Sequence, residues 1–206
     1  DLMSRSLYDT WQENVLTDIK RSSEILVATV GAGRIGSAVL NKSRAIGFQT
    51  AFYDPFKESG HEKVVRAERF ESLDELLSKA DVVSLHCPLS EETKGIVDKD
   101  FISKMKKSAV LVNTARGGLI NDLNDIHDAL KSNNISAVCL DVIPNEPPKE
   151  EPLIKAWRKQ EGWLKGRLFI NPHTSYYSVS ALQDMKRTAA QNALRMYNGE
   201  KAKNLL

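Results

Sequence analysis

Val30-Gly31-Ala32-Gly33-Arg34-Ile35-Gly36 is the stretch of this sequence from which the fold can be read. It follows the apolar run 25–29 and precedes a segment whose apolar spacing predicts a helix. A strand, a glycine-rich turn and a helix, in this order, are the context in which G-x-G-x-x-G binds a dinucleotide. Gly31 permits the tight turn, Gly33 lets a pyrophosphate approach the backbone, and Gly36 lets the helix pack closely on the strand. The alternative is a plain tight turn that binds nothing.

The composition is that of an ordinary globular chain and excludes several classes of function. Hydrophobic residues make up 41% and charged residues 27% of the 206 residues, which suffice for one large domain with appendages. The formal net charge of +2 is too close to zero to indicate binding to nucleic acid or to an anionic membrane surface. No apolar run in the sequence reaches the length of a membrane span.

Two cysteines, Cys87 and Cys139, lie in or beside apolar, strand-like runs. Their spacing does not match a metal site, and we expect buried free thiols in a reducing compartment rather than a disulfide. The sequence therefore predicts a cytoplasmic protein without a bound metal.

The two ends of the chain differ in pattern from its middle. The chain starts at Asp1 without an initiator methionine or a secretory signal, and we expect it to be a piece of a longer protein. Residues 1–24 predict an amphipathic helix that connects to another domain or docks on another subunit. Residues 178–206 contain a second predicted helix, and residues 25–177 between these ends form the predicted central domain.

Short apolar runs alternate with helical patterns throughout the central domain. Runs that are apolar throughout, rather than at alternate positions, predict parallel strands that helices cover on both faces. The sequence thus predicts an α/β fold with a doubly wound parallel sheet. The predicted strands are residues 25–30, 49–53, 82–86, 109–113, 137–141 and 168–170, with a minor strand at 64–65 and an insertion of undefined structure at 153–165.

Polar residues follow these strands at the edge where such a sheet binds ligands, beyond the carboxyl ends. Besides the glycine turn they include Asp54, the segments 86–88, 114–116 and 141–146, and His173. This agreement between separate segments favours a ligand site over a plain structural turn.

Asp54 follows the second predicted strand, about 20 residues beyond the glycine turn. An acid at this place accepts hydrogen bonds from the adenosine ribose of NAD and repels the additional phosphate of NADP. The alternative is a turn-forming aspartate before Pro55, and the nearby Lys57 weakens the preference for NAD. We therefore expect NAD as the cofactor.

Three residues at the later strand ends have the chemistry of a hydride-transfer site for a 2-oxo or 2-hydroxy acid. Arg116 is a permanent cation whose forked donors suit a planar carboxylate. His173 can carry and release a proton near neutral pH. Glu146, if hydrogen-bonded to the imidazole, would orient it and favour its charged form. Taken singly, each is better explained as an ordinary polar loop residue, so the prediction depends on their joint occurrence beside a dinucleotide site.

The remaining histidines have simpler interpretations. His61 and His127 lie in charged surroundings, and we expect both to face solvent. His86 ends a predicted strand and is a rival candidate for the site. We favour a structural role or a place in the cofactor wall, because the three residues at the later strand ends already supply a complete acid.

Over roughly residues 25–200 the sequence resembles the D-isomer-specific 2-hydroxyacid dehydrogenase family. The resemblance implies a Rossmann-type NAD-binding domain that serves hydride transfer between NAD(H) and a 2-oxo or 2-hydroxy acid. The matching stretches follow the family's order and spacing, and they are residues 30–36, 53–55, 81–89 with 92–93, 111–118, 141–147 and 172–173.

The resemblance also implies which residues contact the cofactor. The implied contacts run from the pyrophosphate and ribose, through the wall of the adenosine side, to the nicotinamide half. In that order they are Gly31, Gly33, Arg34, Ile35, Gly36 and Asp54; Cys87, Pro88 and Thr93; and Thr114, Ala115 and Asp141.

For catalysis, the resemblance implies a division of roles among the three residues named above. Arg116 would hold the substrate carboxylate and polarise the carbonyl group, and His173 would donate the proton to the carbonyl oxygen. Glu146 would support the protonated state of the histidine.

The family's substrate lobe has no counterpart in this chain. The resemblance implies that the helix in residues 178–206 packs on that lobe, and that family members form dimers through their cofactor domains. We therefore expect a homodimer with a small-molecule substrate and with neither a nucleic-acid nor a membrane partner. The isolated chain should bind NAD(H) with weak or no turnover.

A second class of protein resembles the same family: the C-terminal-binding-protein corepressors, which sense NAD(H) and keep its catalytic residues. The stretches 52–55 and 172–178 look similar to that branch. Such a protein would act in the nucleus with little turnover. The sequence leaves both functions open, because the lobe that would distinguish them is not in this chain.

Overall fold

Seven parallel strands form the centre of the protein in the computed structural model of this chain, which describes residues 19–203. In chain order they are β1 (Leu26–Val30), β2 (Gln49–Tyr53), β3 (Glu68–Phe70), β4 (Val82–Leu85), β5 (Val110–Asn113), β6 (Ala137–Leu140) and β7 (Leu168–Ile170). Their order in the sheet is β3-β2-β1-β4-β5-β6-β7.

Within the same residues, seven α-helices connect or follow the strands. In chain order they are α1 (Arg34–Ala45), α2 (His61–Val65), α3 (Leu73–Lys79), α4 (Lys99–Lys104), α5 (Leu123–Lys131), α6 (Pro152–Arg158) and α7 (Val179–Tyr197). α1 begins directly after Gly33 and ends before Gly47, whose φ of +94° suits the reversal that ends a helix. Ser72 caps α3, because its Oγ accepts a hydrogen bond from the Glu75 N–H at 3.4 Å.

Helices cover both faces of the sheet, and two adjacent residues of β2 show how. Phe52 packs with Leu40 of α1 and Val65 of α2 in a small apolar cluster. Ala51 points to the opposite face and belongs to the large core, to which α3, α4, α5 and α6 contribute. The predicted α/β fold with a doubly wound parallel sheet is confirmed.

The winding of the sheet reverses at β1, which pairs with β2 on one side and with β4 on the other. In a doubly wound sheet this reversal opens a crevice beyond the carboxyl ends of the two central strands. The glycine turn follows β1, and residues 86–88 follow β4, so both segments lie at this crevice. The topology alone therefore provides a place for a ligand.

The minor strand predicted at residues 64–65 is wrong. These residues end the short helix α2, in which Val65 is buried while Val64 is 76% exposed. The chain turns at Arg66, and the edge strand is β3, in which Phe70 is buried behind two charged residues. Charged residues are common in edge strands, so Glu68 and Arg69 do not prevent β3 from pairing with β2. Because of these charges, however, β3 has no apolar run by which the sequence could predict it.

The insertion at residues 153–165 contains most of α6, followed by the 3₁₀ turn Gly162–Leu164. Leu153, Ile154 and Ala156 of α6 are buried in the large core. The insertion therefore completes the hydrophobic core rather than extending from it.

The C-terminal helix α7 contributes no buried residue to this core. It confirms the helix predicted there, and its packing on a substrate lobe stays a prediction. Most of the helix predicted in residues 1–24 lies outside the described residues, which begin at residue 19. Within residues 19–24, Ser22–Glu24 form a 3₁₀ turn. None of the helices in residues 19–203 combines the length and apolar character that a membrane span requires.

Candidate active site

The glycine turn is packed tightly against the end of β4. Gly31 has a φ of +96°, and a Cβ added there would lie 2.7 Å from the backbone nitrogen of Cys87. A Cβ added at Gly36 would lie 2.2 Å from the carbonyl oxygen of Gly31. Gly33 differs from both, because a Cβ added there would have no other atom within 4 Å. Of the three glycines, only Gly33 thus borders open space, where a phosphate could approach the backbone.

Asp54 lies beside this turn at the end of β2, and its carboxylate holds two backbone groups. Its Oδ2 accepts a hydrogen bond from the Ala32 N–H at 2.8 Å, and its Oδ1 accepts one from the Phe56 N–H at 3.0 Å. Asp54 therefore fixes the shape of the glycine turn, and its contact with a ribose stays a prediction.

Two cavities meet at this crevice and share the wall formed by residues 86–88. The first, of about 550 Å³, brings together the glycine turn, Asp54, Cys87 and Thr93. The second, of about 610 Å³, is lined by Ile35 and by Thr114, Ala115 and Arg116. The structure therefore distributes most of the predicted cofactor residues over two adjoining cavities of the size that small-molecule sites have. Arg34 is exposed at the first position of α1.

The shared wall carries two titratable groups that burial keeps uncharged near neutral pH. Burial lowers the pKa of His86, whose Nε2 lies 2.9 Å from the Ser84 hydroxyl. Burial, assisted by the nearby Asp54 charge, raises the pKa of the Cys87 thiol. Cys87 and Cys139 are both free thiols, as predicted, although each is half-buried rather than buried.

Arg116 lies in the loop after β5, which Asn113 shapes from within. The Asn113 side chain donates to the Arg116 carbonyl oxygen at 2.9 Å and accepts from the Ala115 N–H at 3.0 Å. The Arg116 guanidinium is exposed and donates to the Ala115 carbonyl oxygen at 2.7 Å. A Cβ added at Gly117 would lie 1.9 Å from the Ile143 carbonyl oxygen, so the loops after β5 and β6 touch through their backbones.

The structure joins Glu146 and His173 as the sequence predicted. Glu146 Oε2 lies 2.8 Å from Nδ1 of His173, and Glu146 Oε1 accepts a hydrogen bond from the Ile143 N–H at 3.0 Å. His173 has a φ of +55°, and its own N–H donates to the Asp141 carbonyl oxygen at 2.9 Å. Because the carboxylate engages Nδ1, the opposite ring nitrogen, Nε2, is available for proton transfer.

Asp141, predicted to contact the nicotinamide half, instead uses its carboxylate on the loop that carries His173. Its two oxygens accept hydrogen bonds from the Thr174 N–H at 2.9 Å and from the Ser175 N–H at 3.0 Å. Burial of the carboxylate opposes its charge, but the Ser175 and Thr174 N–H groups outweigh this effect and lower the pKa of Asp141. Asp141 therefore positions the histidine loop, and its contact with a cofactor stays a prediction.

The Asp141→Asn variant should be less stable than the wild type by about 1–3 kcal/mol at pH 7, because asparagine has one acceptor oxygen and its NH₂ group would face the second N–H without accepting from it. The folded-state pKa is depressed, so this contribution is present above the ordinary value of 3.8 and is lost as the pH falls through the folded pKa. Denaturant unfolding of both proteins at pH 7 and below pH 3.8 should show the difference shrinking. A difference that does not depend on pH would contradict this role.

The catalytic residues that the sequence predicted occupy two places in the structure. Glu146 and His173 line a third, apolar cavity of about 380 Å³ together with Trp157 and Ile170. Within residues 19–203, Arg116 makes no hydrogen bond or ion pair with either of them, although its loop touches the loop that leads to Glu146. No group of three or more His, Cys, Asp or Glu side chains in this range is arranged to hold a metal ion.

The prediction that His61 and His127 face solvent is wrong for both. His127 is 17% exposed, packs edge-on against Trp163 and contacts Asp128. His61 lies against the glycine turn, with its Nε2 3.1 Å from the Ala32 carbonyl oxygen. The sequence offers one indication for His61, which is the glycine directly before it. In the structure Gly60 has a φ of +101°, a conformation that favours glycine and reverses the chain at the start of α2.

Comparison with known proteins agrees with this geometry. A family model described as D-isomer specific 2-hydroxyacid dehydrogenase, NAD binding domain, matches residues 3–175. The chain is 33% identical to C-terminal-binding protein 1 of Caenorhabditis elegans, over 93% of this chain and 25% of that protein. It is 32% identical to D-3-phosphoglycerate dehydrogenase of Methanocaldococcus jannaschii, over 87% of this chain and 32% of that protein.

A solved structure shows the same similarity. The NAD-complexed D-isomer specific 2-hydroxyacid dehydrogenase of Lactobacillus delbrueckii ssp. bulgaricus has a TM-score of 0.79 and 26% identity, over 99% of this chain and 62% of that one. The chain spans about a quarter of one curated relative and about a third of the other. We conclude that the chain belongs to the D-isomer specific 2-hydroxyacid dehydrogenase family and corresponds to its NAD-binding domain.

Proposed function

We propose that this chain binds the cofactor in an NAD-dependent dehydrogenase that transfers hydride between NAD(H) and a 2-hydroxy or 2-oxo acid. The observation that carries the proposal is the Glu146–His173 pair, joined at 2.8 Å, at the same edge of the sheet as the glycine turn. A histidine that a carboxylate orients beside a dinucleotide site is suited to exchanging a proton during hydride transfer.

The residues at the crevice fit NAD(H). The open space beside Gly33 and the unpaired N–H groups at the start of α1 suit a pyrophosphate, and the negative charge of Asp54 disfavours the additional phosphate of NADP. When bound, NAD(H) supplies or accepts the hydride. We assign residues 25–177 to the NAD-binding domain and residues 178–206 to a helix that packs on a substrate lobe.

Arg116, Glu146 and His173 have different roles in the reduction of the 2-oxo acid. Arg116 is exposed at the edge of the second cavity, where its guanidinium can bind the substrate carboxylate bidentately and polarise the neighbouring carbonyl group. His173 donates the proton from Nε2 to the carbonyl oxygen. Glu146 orients the ring through Nδ1 and stabilises its positive charge before the proton leaves.

A second function, sensing of NAD(H) by a corepressor-type binding protein, is favoured by one observation. C-terminal-binding protein 1 of C. elegans matches 93% of this chain, and its degree of identity is similar to that of the phosphoglycerate dehydrogenase. Such a protein would bind NAD(H) with little turnover and would act in the nucleus. The dehydrogenase reading implies a cytoplasmic location and a homodimer formed through the cofactor domains.

Calorimetric titration of the chain with NADH should give saturable binding of one nucleotide per chain, with weaker binding of NADPH because of Asp54. The measurement needs a folded sample, which circular dichroism at the same temperature can verify. A folded chain that shows no saturable binding would refute the cofactor assignment.

A panel of 2-oxo acids, assayed with NADH on the complete protein, separates the two functions. Turnover of any acid at ordinary enzymatic rates of about 1–10³ s⁻¹ supports the dehydrogenase. Tight NADH binding with negligible turnover over the whole panel supports the sensor instead.

A further inference from the structure

Asp54 and His61 both contact the backbone of Ala32, a residue within the glycine turn. Ala32, at the second position of the turn, is fully buried, and its N–H donates to Asp54 Oδ2 at 2.8 Å. Its carbonyl oxygen accepts a hydrogen bond from the Ser37 hydroxyl at 2.9 Å and lies 3.1 Å from His61 Nε2. Both backbone polar groups of Ala32 are therefore bound by side chains from other parts of the chain.

The contact between His61 and Ala32 favours one tautomer of the histidine. A carbonyl oxygen can only accept a hydrogen bond, so the 3.1 Å contact is a hydrogen bond when Nε2 of His61 carries the hydrogen. The His61 ring packs edge-on against Phe52, with the ring centroids 5.7 Å apart. The same Nε2 lies 3.4 Å from the Ser37 hydroxyl, so the half-buried ring is held by Phe52 on one side and by two polar contacts on the other. His61 does not line either of the two nucleotide cavities.

We propose that His61 is a positioning residue of the cofactor site, which holds the Ala32 carbonyl group so that the turn has its binding shape before the nucleotide arrives. Gly33 borders open space, and the orientation of the peptide between Ala32 and Gly33 determines how the backbone at the start of α1 is presented to a phosphate. Without the Nε2–H contact, Ser37 alone holds the carbonyl group, and the turn spends part of its time in other shapes. The apparent affinity for nucleotide then falls by the fraction of chains in the competent shape.

This inference rests on the proposed function, because it assumes that the turn binds the pyrophosphate of NAD(H). Two substitutions separate the contribution of the hydrogen bond from that of the ring. His61→Phe keeps the edge contact with Phe52 but has no donor. His61→Gln loses the ring but places an amide N–H at about the position of Nε2, since both atoms are the same number of bonds from Cβ.

NADH and ADP-ribose, titrated calorimetrically into the wild-type chain and both variants, should show the following pattern. His61→Phe should bind both ligands about three- to tenfold more weakly, which corresponds to the loss of one hydrogen bond. His61→Gln should bind within about twofold of the wild type. The two ligands should lose affinity equally, since both carry the pyrophosphate.

Two results would overturn the inference. One is weaker binding by His61→Gln but not by His61→Phe, which would mean that only ring packing matters. The other is equal binding by all three proteins. If the wild-type chain, shown to be folded, binds neither ligand, the proposed function fails rather than the role of His61. Thermal unfolding of each variant identifies a general loss of structure, and the affinities are compared at a temperature at which all three proteins are folded.

Discussion

Replacing His173 with glutamine in the complete protein is expected to lower the turnover of a 2-oxo acid by NADH about 10²- to 10⁴-fold. Glutamine keeps a polar side chain of similar length, but its amide nitrogen corresponds to Nε2 rather than to Nδ1, the atom that lies 2.8 Å from Glu146. It cannot release a proton to the carbonyl oxygen, so the reaction loses its acid. Binding of NADH should change little, because His173 lies in a different cavity from the glycine turn.

The matched control is His127→Gln. His127 is also a partly buried histidine beside a carboxylate, Asp128, but it lies on α5 and packs against Trp163. Its substitution should leave kcat unchanged. Steady-state kinetics and NADH titration of both variants test the assignment, and equal losses of turnover and nucleotide binding in His173→Gln would show a structural histidine instead.

Gly33→Ala is expected to weaken NADH binding about 10- to 100-fold while leaving the stability of the chain nearly unchanged. A methyl group there meets no atom within 4 Å, and the backbone angles of Gly33, φ −73° and ψ −160°, are accessible to alanine. The methyl group would occupy the space through which the pyrophosphate approaches, and overlap of this kind costs about 1–3 kcal/mol. Calorimetry gives the affinity, and denaturant unfolding gives the stability.

Gly36→Ala provides the contrast, because its methyl group would lie 2.2 Å from the Gly31 carbonyl oxygen. Alanine in a helix normally gains up to about 1 kcal/mol over glycine, but this overlap with rigid backbone should reverse the sign and cost about 2–4 kcal/mol of stability. Gly36→Ala should thus lose both stability and binding. Unimpaired NADH binding by Gly33→Ala would show that the nucleotide does not approach the turn at that residue.

The strands and most helices could be predicted from the sequence because their signals are local. β2 and β7 have the predicted boundaries. The cap of α3 is local as well, because Ser72 accepts from the N–H of Glu75, three residues later. β3 could not be predicted, since its register on β2 depends on tertiary pairing rather than on a hydrophobic run. α6 was missed because no side chain caps its start as Ser72 caps α3, and packing in the core stabilises it instead.

The site could be predicted as a set of strand-end residues, but not as a set of contacts. Parallel strands bring their carboxyl ends to one edge, so Glu146 and His173 were expected near each other, and they are hydrogen-bonded. The partners of Asp54 and Asp141 are backbone N–H groups from other loops, which no side-chain pattern reveals. His61 was assigned to solvent because its neighbours in sequence are charged, whereas its neighbours in space are Phe52 and the glycine turn.

The bare backbone contact between Gly117 and Ile143 restricts how this part of the protein can evolve. Any side chain at position 117 would collide with a carbonyl group 1.9 Å away, so the path of the loop after β6 limits what the loop after β5 can accept. Directed-evolution libraries should therefore leave position 117 as glycine and place their diversity elsewhere in these two loops.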